Sequence, residues 1–372
     1  MYGMSRRKSS RRPHDGSSSL DGRVRLASSN VSGRTARWSR ATSIPARLLV
    51  VSLVVLVAAV WSTATVDARI APRVTTSGAA GAACEEIAGS PPKTSTLTLT
   101  VSGRRRIAVV HLPSGYTGLN KIPLVLNMHG TASTAAEQEQ FTAMDKTADE
   151  HDFLVVYPQA VIASGTGFAW NVPDEPLLDG DAVPKNAAND VAFLVSLVQT
   201  LKKRYCIDAK RVYATGFSGG ARMASQLGCA LPKTIAAVAP VSGLRYPAAC
   251  RGTRPVPVVS MHGTADPVDP YDGDGAAYWT YGVPTAARRW AVHNRCAAKA
   301  AVSSPTGGVE LTAYGRCKRG ASVELYTIAG EGHTWPDGPS LPAALLRVLG
   351  PQSNALDANE VIWRFFAAHP LR

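Results

Sequence analysis

From residue 95 onward the chain alternates short apolar runs with amphipathic stretches. Residues 95–101 switch between polar and apolar at every step, the period of a half-exposed strand. Residues 104–112 follow as a second strand across a Ser102-Gly103 turn. Residues 122–128 and 153–157 are continuous apolar runs, as expected of strands buried on both faces. Between them, residues 135–150 carry a helical period. A second helix is predicted over 191–205, with apolar residues at 191, 194, 197, 198 and 201 behind an Asn189-Asp190 cap. Further strands are predicted at 212–215, 235–241, 255–261, 309–314 and 322–328, and further helices at 285–294 and 355–368. Residues 159–188 have no period and are rich in Gly, Pro, Asp and Asn; loops of this length are commonly functional.

Strands that alternate with helices imply an α/β fold, a mostly parallel central sheet with helices on both faces. The opening hairpin adds antiparallel strands at one edge. Residues 95–372 are long enough for one large domain with an ample core.

The N-terminal part differs. Residues 1–47 are rich in Ser, Arg and Gly without apolar periodicity and read as a basic disordered region. They hold 11 Lys/Arg and 2 Asp/Glu, so +9 of the chain's net +13 lies there and only +4 is left for the rest. The basic balance therefore gives the folded part no nucleic-acid footprint. Residues 48–61 are almost continuously apolar, short for a membrane span of ~20 residues and fitting a signal-peptide core of ~7–15. Small-residue cleavage sites end at Ala64 or Ala68. Residues 48–68 are thus an export signal or, if uncleaved, an anchor that gives the chain its one membrane contact. Residues 69–94 read as a linker. The expected location is extracellular, secreted or anchored with the domain outside.

All six cysteines lie beyond this signal: Cys84, Cys206, Cys229, Cys250, Cys296 and Cys317. An even count in an exported chain points to disulfides. Proximity favours Cys229–Cys250 and Cys296–Cys317, leaving Cys84–Cys206; free buried thiols are the alternative. No metal set and no cofactor motif is present; Asp272-Gly-Asp274-Gly lacks the remaining oxygen ligands of a calcium loop.

The candidate chemistry centres on Gly216-Phe-Ser218-Gly-Gly220, which follows a β-rich run and opens a helical pattern. Strand, sharp turn and helix are the context a nucleophile elbow needs. The Gly219 N–H at the helix start would face an oxyanion. A serine hydroxyl requires a base, and the base an orienting carboxylate, in the chain order Ser, Asp/Glu, His for this kind of elbow. Asp266 follows the 255–261 strand and His333 the 322–328 strand, in that order. Asp269 is the competing acid. His129 and His262 precede glycines at strand ends and read as turn supports. The second oxyanion donor is expected from the loop after the first buried strand, at the Thr131 N–H.

These motifs make the sequence resemble the polyhydroxybutyrate depolymerase and feruloyl esterase group of α/β-hydrolases, which includes actinobacterial exported esterases. The resemblance runs over about residues 95–368. It is carried by Pro123-Leu-Val-Leu-Asn-Met-His-Gly130, Val155-Val-Tyr-Pro-Gln159, Trp170-Asn171, Asn189-Asp190-Val-Ala-Phe193, Tyr205-Cys-Ile-Asp-Ala-Lys-Arg-Val-Tyr213, the elbow, His262-Gly-Thr-Ala-Asp266 and Gly332-His-Thr-Trp-Pro336. It implies a serine carboxylesterase with Ser218, Asp266 and His333 as triad, and cystine bridges like those paired above. The chain departs from the group at Gly219, where Asn or Ala is common, at Asp337 and at Asp269, which stands at a usually hydrophobic position. The expected partner is a small or polymeric ester, with Trp170, Tyr271 and Trp335 as candidate walls of the substrate cleft. The same triad could pass its acyl group to an alcohol. A non-catalytic surface protein on a silent hydrolase fold is the remaining alternative.

Overall fold

The computed structural model describes residues 84–86 and 93–372. The basic region, the apolar segment 48–68 and most of the linker lie outside the described residues. No described helix is long and apolar enough to cross a membrane.

Ten strands form one sheet: β1 (Thr94–Val101), β2 (Arg104–His111), β3 (Ile122–Met128), β4 (Leu154–Pro158), β7 (Ile207–Phe217), β8 (Val238–Val241), β9 (Val258–Gly263), β10 (Ala301–Thr306), β11 (Val309–Tyr314) and β12 (Val323–Ile328). Their spatial order is β1-β2-β4-β3-β7-β8-β9-β12-β11-β10. From β4 to β12 every neighbouring pair is parallel. The outer strands are antiparallel at both edges. A separate hairpin, β5 (Ile162–Ser164) with β6 (Gly167–Ala169), stands within the long loop.

Alternation along the strands divides the core between the two faces. In β3, Leu124, Leu126 and Met128 pack with Phe193, Leu197, Met223, Leu227 and Trp290 from the helices Asp190–Arg204, Gly219–Ala230 and Val283–His293. Val125 and Tyr213 face the other way, toward Met144, Ile362 and Phe366. That face is covered by the helices Ala135–Thr142, Met144–His151 and Ala358–Ala368. Burial of both faces explains why β3 reads as an uninterrupted apolar run.

The helix expected over 135–150 is broken in two. Ala143 adopts φ 47° and ends the first helix by donating its N–H to the Glu139 carbonyl, while Asn359 donates to the Thr142 carbonyl. A tertiary partner, absent from the local pattern, takes the carbonyl that a continuous helix would have used. The structure also adds β10 and a short helix Ala343–Leu349, neither of which the pattern predicts. All six β10 side chains are exposed, and no residue of the short helix is fully buried, so neither had a core stripe to reveal it.

Three disulfides join Cys84 to Cys206, Cys229 to Cys250 and Cys296 to Cys317, and no described cysteine is free.

Candidate active site

Four loops meet at the C-terminal ends of parallel strands, where open α/β sheets gather their ligand sites. Thr131 follows β3, Ser218 follows β7, Asp266 follows β9 and His333 follows β12. Ser218 sits at φ 54°, ψ −117°, a backbone conformation a non-glycine residue rarely adopts. Its N–H donates to the Val241 carbonyl, and its carbonyl accepts from Arg222 one turn into the following helix. The tight crossing is possible because the flanking glycines have no side chains. A Cβ at Gly220 would overlap the Met128 carbonyl, and one at Gly216 would lie 2.7 Å from the same oxygen.

Asp266 and His333 are both buried and directly joined. His333 Nδ1 lies 2.7 Å from Asp266 Oδ2. Asp266 Oδ1 accepts from the N–H groups of Val268 and Asp269, at 2.9 and 2.8 Å. His262 Nε2 lies 3.2 Å from Asp266 Oδ2 and 2.7 Å from the Asp269 carbonyl. Burial works to raise the Asp266 carboxyl, but the charge of His333 and the hydrogen bonds from both histidines outweigh it and hold it well below the ordinary carboxylate range. For His333 burial acts to lower the imidazole, and the Asp266 carboxylate overrides it, leaving the ring more basic than usual. Asp269, the competing acid, makes no side-chain hydrogen bond to His333; both its carboxylate oxygens are buried with no protein hydrogen-bond partner among the described residues.

Across from this pair, Gly219 packs against Thr131: a Cβ at Gly219 would come 2.5 Å from Thr131 Oγ1 and 3.3 Å from its backbone N. The loop carrying Thr131 is fixed from below by His129. His129 Nδ1 pairs with the Gly130 carbonyl at 2.7 Å, and Nε2 accepts from the Ala160 N–H at 3.0 Å. Burial pushes His129 down to about 4, so it is a neutral turn support.

Ser218, His333 and Thr131 open on one cavity of about 420 Å³. Leu177 and Leu178 from the long loop form one wall, and Leu341, Leu345 and Leu349 from the segment around the short helix form another. Phe141 and Phe217 also line it. Besides His333, its ionisable lining is Glu137 and Asp179, with no Lys or Arg among the described lining residues.

None of the three aromatics expected to wall the cleft lines this cavity. Trp170 is buried beside it and donates Nε1–H to the His129 carbonyl, so it braces the loop that carries Thr131. Trp335 is fully buried and donates to Asn359 Oδ1. Tyr271 pairs its hydroxyl with Thr327 Oγ1 and packs edge-on to His262. Each ring has an internal hydrogen-bond partner; Trp170 and Trp335 are buried, and Tyr271 is half-buried against the core. The leucine walls escaped the sequence reading because residues 177–178 and 341–349 lie in segments without a period. The run Leu341-Pro-Ala-Ala-Leu-Leu was the available signal.

Residues 107–301, more than half of the chain, match the family described as Esterase PHB depolymerase. The chain belongs to the esterase PHB depolymerase family. Its relatives include Feruloyl esterase B of Piromyces equi, 32% identical over 249 residues, covering 63% of this chain and 43% of that protein. Putative esterase NocK of Nocardia uniformis subsp. tsuyamanensis is 32% identical over 291 residues, covering 71% of this chain and 82% of that protein. Poly(3-hydroxyalkanoate) depolymerase C of Paucimonas lemoignei is 27% identical over 256 residues, covering 63% and 59%. The chain thus spans less than half the length of Feruloyl esterase B. The acetyl xylan esterase from Aspergillus awamori superposes with TM-score 0.51 at 15% identity, over 74% of this chain and 99% of that one, a likeness of fold. The esterase PHB depolymerase family is one of carboxylic ester hydrolases. Within this member, His333 lies beyond the matched residues.

Proposed function

We propose that the chain is an exported serine carboxylic-ester hydrolase working through Ser218, His333 and Asp266. The observation that carries this is the buried Asp266–His333 pair, at 2.7 Å, facing the same cavity as the Ser218 hydroxyl. Ser218 Oγ attacks the ester carbonyl carbon as its proton passes to His333 Nε2, and the carbonyl π electrons move onto oxygen. Asp266 holds the ring and stabilises the imidazolium. The Thr131 and Gly219 amides bind the oxyanion, each worth about 3–4 kcal/mol in the transition state. When the C–O bond breaks, the proton goes from Nε2 to the departing alkoxide. Water then repeats the sequence on the acyl-enzyme, releasing the acid and restoring Ser218. Ser218 Oγ makes no hydrogen bond to His333 among the described residues; such contacts often tighten only with substrate bound.

The leucine-lined cavity supports a substrate with a neutral, apolar group next to the ester. Three disulfides and the apolar segment 48–61 support export.

The test uses the secreted protein with p-nitrophenyl esters, methyl ferulate, acetylated xylan and polyhydroxybutyrate. Ser218→Ala should abolish turnover and labelling by an active-site phosphonate. Asp266→Asn should lower kcat by about 10⁴ with the fold kept. Near-wild-type turnover in the serine variant would reject the reading. Transfer to an added alcohol in preference to water would redirect it to an acyltransferase.

A further inference from the structure

Asp269 is an anomaly beside this site. It is 1% exposed, yet neither carboxylate oxygen has a protein hydrogen-bond partner. Its backbone is part of the clamp on the triad acid: its N–H donates to Asp266 Oδ1 at 2.8 Å and its carbonyl pairs with His262 Nε2 at 2.7 Å. The Asp269 main chain is thereby fixed against Asp266, whose other oxygen pairs with His333, and its carboxylate is buried there. An isolated buried carboxylate is costly, and an apolar residue of similar shape would remove that cost.

Burial pushes the Asp269 carboxyl above its usual range and the Asp266 charge adds to it, while His333, Arg222 and His262 offset only part of the rise. Arg222 comes from the helix that starts at the nucleophile, is 5% exposed, and leaves Nε and Nη1 without hydrogen bonds. Its Nη1 lies 3.7 Å from Glu175 Oε2. Arg245 is a second buried guanidinium in the same electrostatic neighbourhood, coupled to both Glu175 and Asp269. Two arginines thus face two carboxylates, and no side-chain hydrogen bond ties Asp269 to either arginine among the described residues. With no protein hydrogen bond to its side chain among the described residues, the buried Asp269 carboxylate acts on its neighbours through its field, which burial screens weakly.

We propose that Asp269 is a positioning residue for the proton on His333, a second buried carboxylate whose charge supports the imidazolium formed when Ser218 loses its proton. The proposal rests on the serine-esterase reading above. Asp266 orients the ring by a hydrogen bond and Asp269 adds charge without one. Of the charges acting on His333, Asp266 and Asp269 favour the charged ring and Arg222 opposes it. Removing the Asp269 charge leaves a less basic imidazole. The acid limb of kcat/KM then moves to lower pH while the plateau falls, because a weaker base takes the serine proton less readily.

The experiment is the pH profile of kcat/KM on a p-nitrophenyl ester for the wild type, Asp269→Asn and Asp269→Val. Stoichiometric labelling of Ser218 by a phosphonate serves as the folding control. Both variants should shift the acid limb down by about one unit, the usual size for a nearby charge, and lower the plateau several-fold. Asn and Val differ in polarity and shape but share the loss of charge, so a common shift identifies the charge. An unchanged or upward limb in labelled variants overturns the proposal. If the wild type itself fails to label at Ser218, it is the esterase reading that fails. Should one variant not fold, the other still decides.

Discussion

Thr131 Oγ1 occupies the space that a side chain at Gly219 would need, since a Cβ there would stand 2.5 Å from it. The two residues carry the two proposed oxyanion amides, so their packing sets the spacing of the donors. This gives a physical reason for glycine at a position where the resembling group commonly has Asn or Ala. Gly219→Ala should push the Thr131 loop away and lower kcat/KM by up to about 100-fold, the cost of misplacement near 1 Å. Thr131→Ala alone should cost little, since its amide remains. The double variant should recover most of the loss, a coupling between touching residues that a double-mutant cycle measures. Simple additivity would show that the contact does not govern the donors.

A second expectation concerns the leucine walls. Leu345 and Leu349 face the cavity from a short helix with no fully buried residue. Each methylene taken from water is worth about 0.8 kcal/mol, or roughly fourfold in kcat/KM. Across p-nitrophenyl acyl esters the wild type should gain about that factor per carbon until the cavity is filled. Leu345→Trp should shorten the preferred chain, and Leu345→Ala should lengthen it. A parallel series of alkyl acetates tells whether the walls receive the acyl or the alcohol part. Glu137 accepts from Ser133 Oγ and the Thr134 N–H, which holds it in place on the cavity wall. Hemisuccinate esters should therefore react more slowly than neutral esters of equal length. Flat rates in both series would remove the cavity from substrate recognition.

How much of this was legible depended on whether a residue's role was local or tertiary. Strands β3 and β11 match their predicted spans residue for residue; in β3 burial on both faces writes itself into consecutive side chains. The order of the strand-end residues Ser218, Asp266 and His333 is likewise a property of the chain. The break at Ala143 depends on Asn359, more than two hundred residues away, and no local pattern announces it. Trp170 and Trp335 do not line the 420 Å³ cavity, for a related reason. An aromatic near a motif can face the cleft or the core, and the hydrogen-bond partner that decides lies elsewhere: the His129 carbonyl for one, Asn359 for the other.

The pH dependence of stability should carry the mark of Glu331. This carboxyl is 1% exposed, accepts from Thr334 Oγ1 at 2.7 Å, and leaves its other oxygen unpartnered. Burial, with a smaller push from the Asp266 charge, raises it to about 8 against the opposing hydrogen bond from Thr334. The unfolded chain releases this proton near 4.5, whereas the folded chain keeps it to about 8. Between those values the native state binds more protons, so the Glu331 contribution to stability declines as pH rises through that window and is level above it. Glu331→Gln keeps the acceptor for Thr334 and cannot ionise. Its Tm should match the wild type near pH 4 and exceed it at pH 8. Equal Tm values at both pH values would show that Glu331 ionises in the fold as it does in water.

The Cys296–Cys317 bridge should matter for stability and little for turnover. It closes 21 residues of sequence, for which loop-closure entropy gives about 3 kcal/mol. In a domain of this size that corresponds to roughly 5–10 °C in Tm. The bridge ties the end of the helix Val283–His293 to the turn after β11, beside Val323 where β12 begins. His333 lies past the opposite end of β12, about 20 Å along a six-residue strand. Between the two, β12 is held on both sides, paired with β11 and with β9 from Val323 to Ile328. The histidine loop also has its own ties: Gly332 donates to the Pro351 carbonyl, His333 to the Leu349 carbonyl, and the ring pairs with Asp266. Loss of the bridge therefore loosens the far edge of the sheet without reaching His333. The Cys296→Ser/Cys317→Ser variant should melt earlier yet, below its Tm, keep kcat/KM and phosphonate labelling within about twofold of the wild type, the scatter expected of a site decoupled by distance. A loss of activity at temperatures where the variant is fully folded would mean that strain at this edge travels the length of β12 to His333.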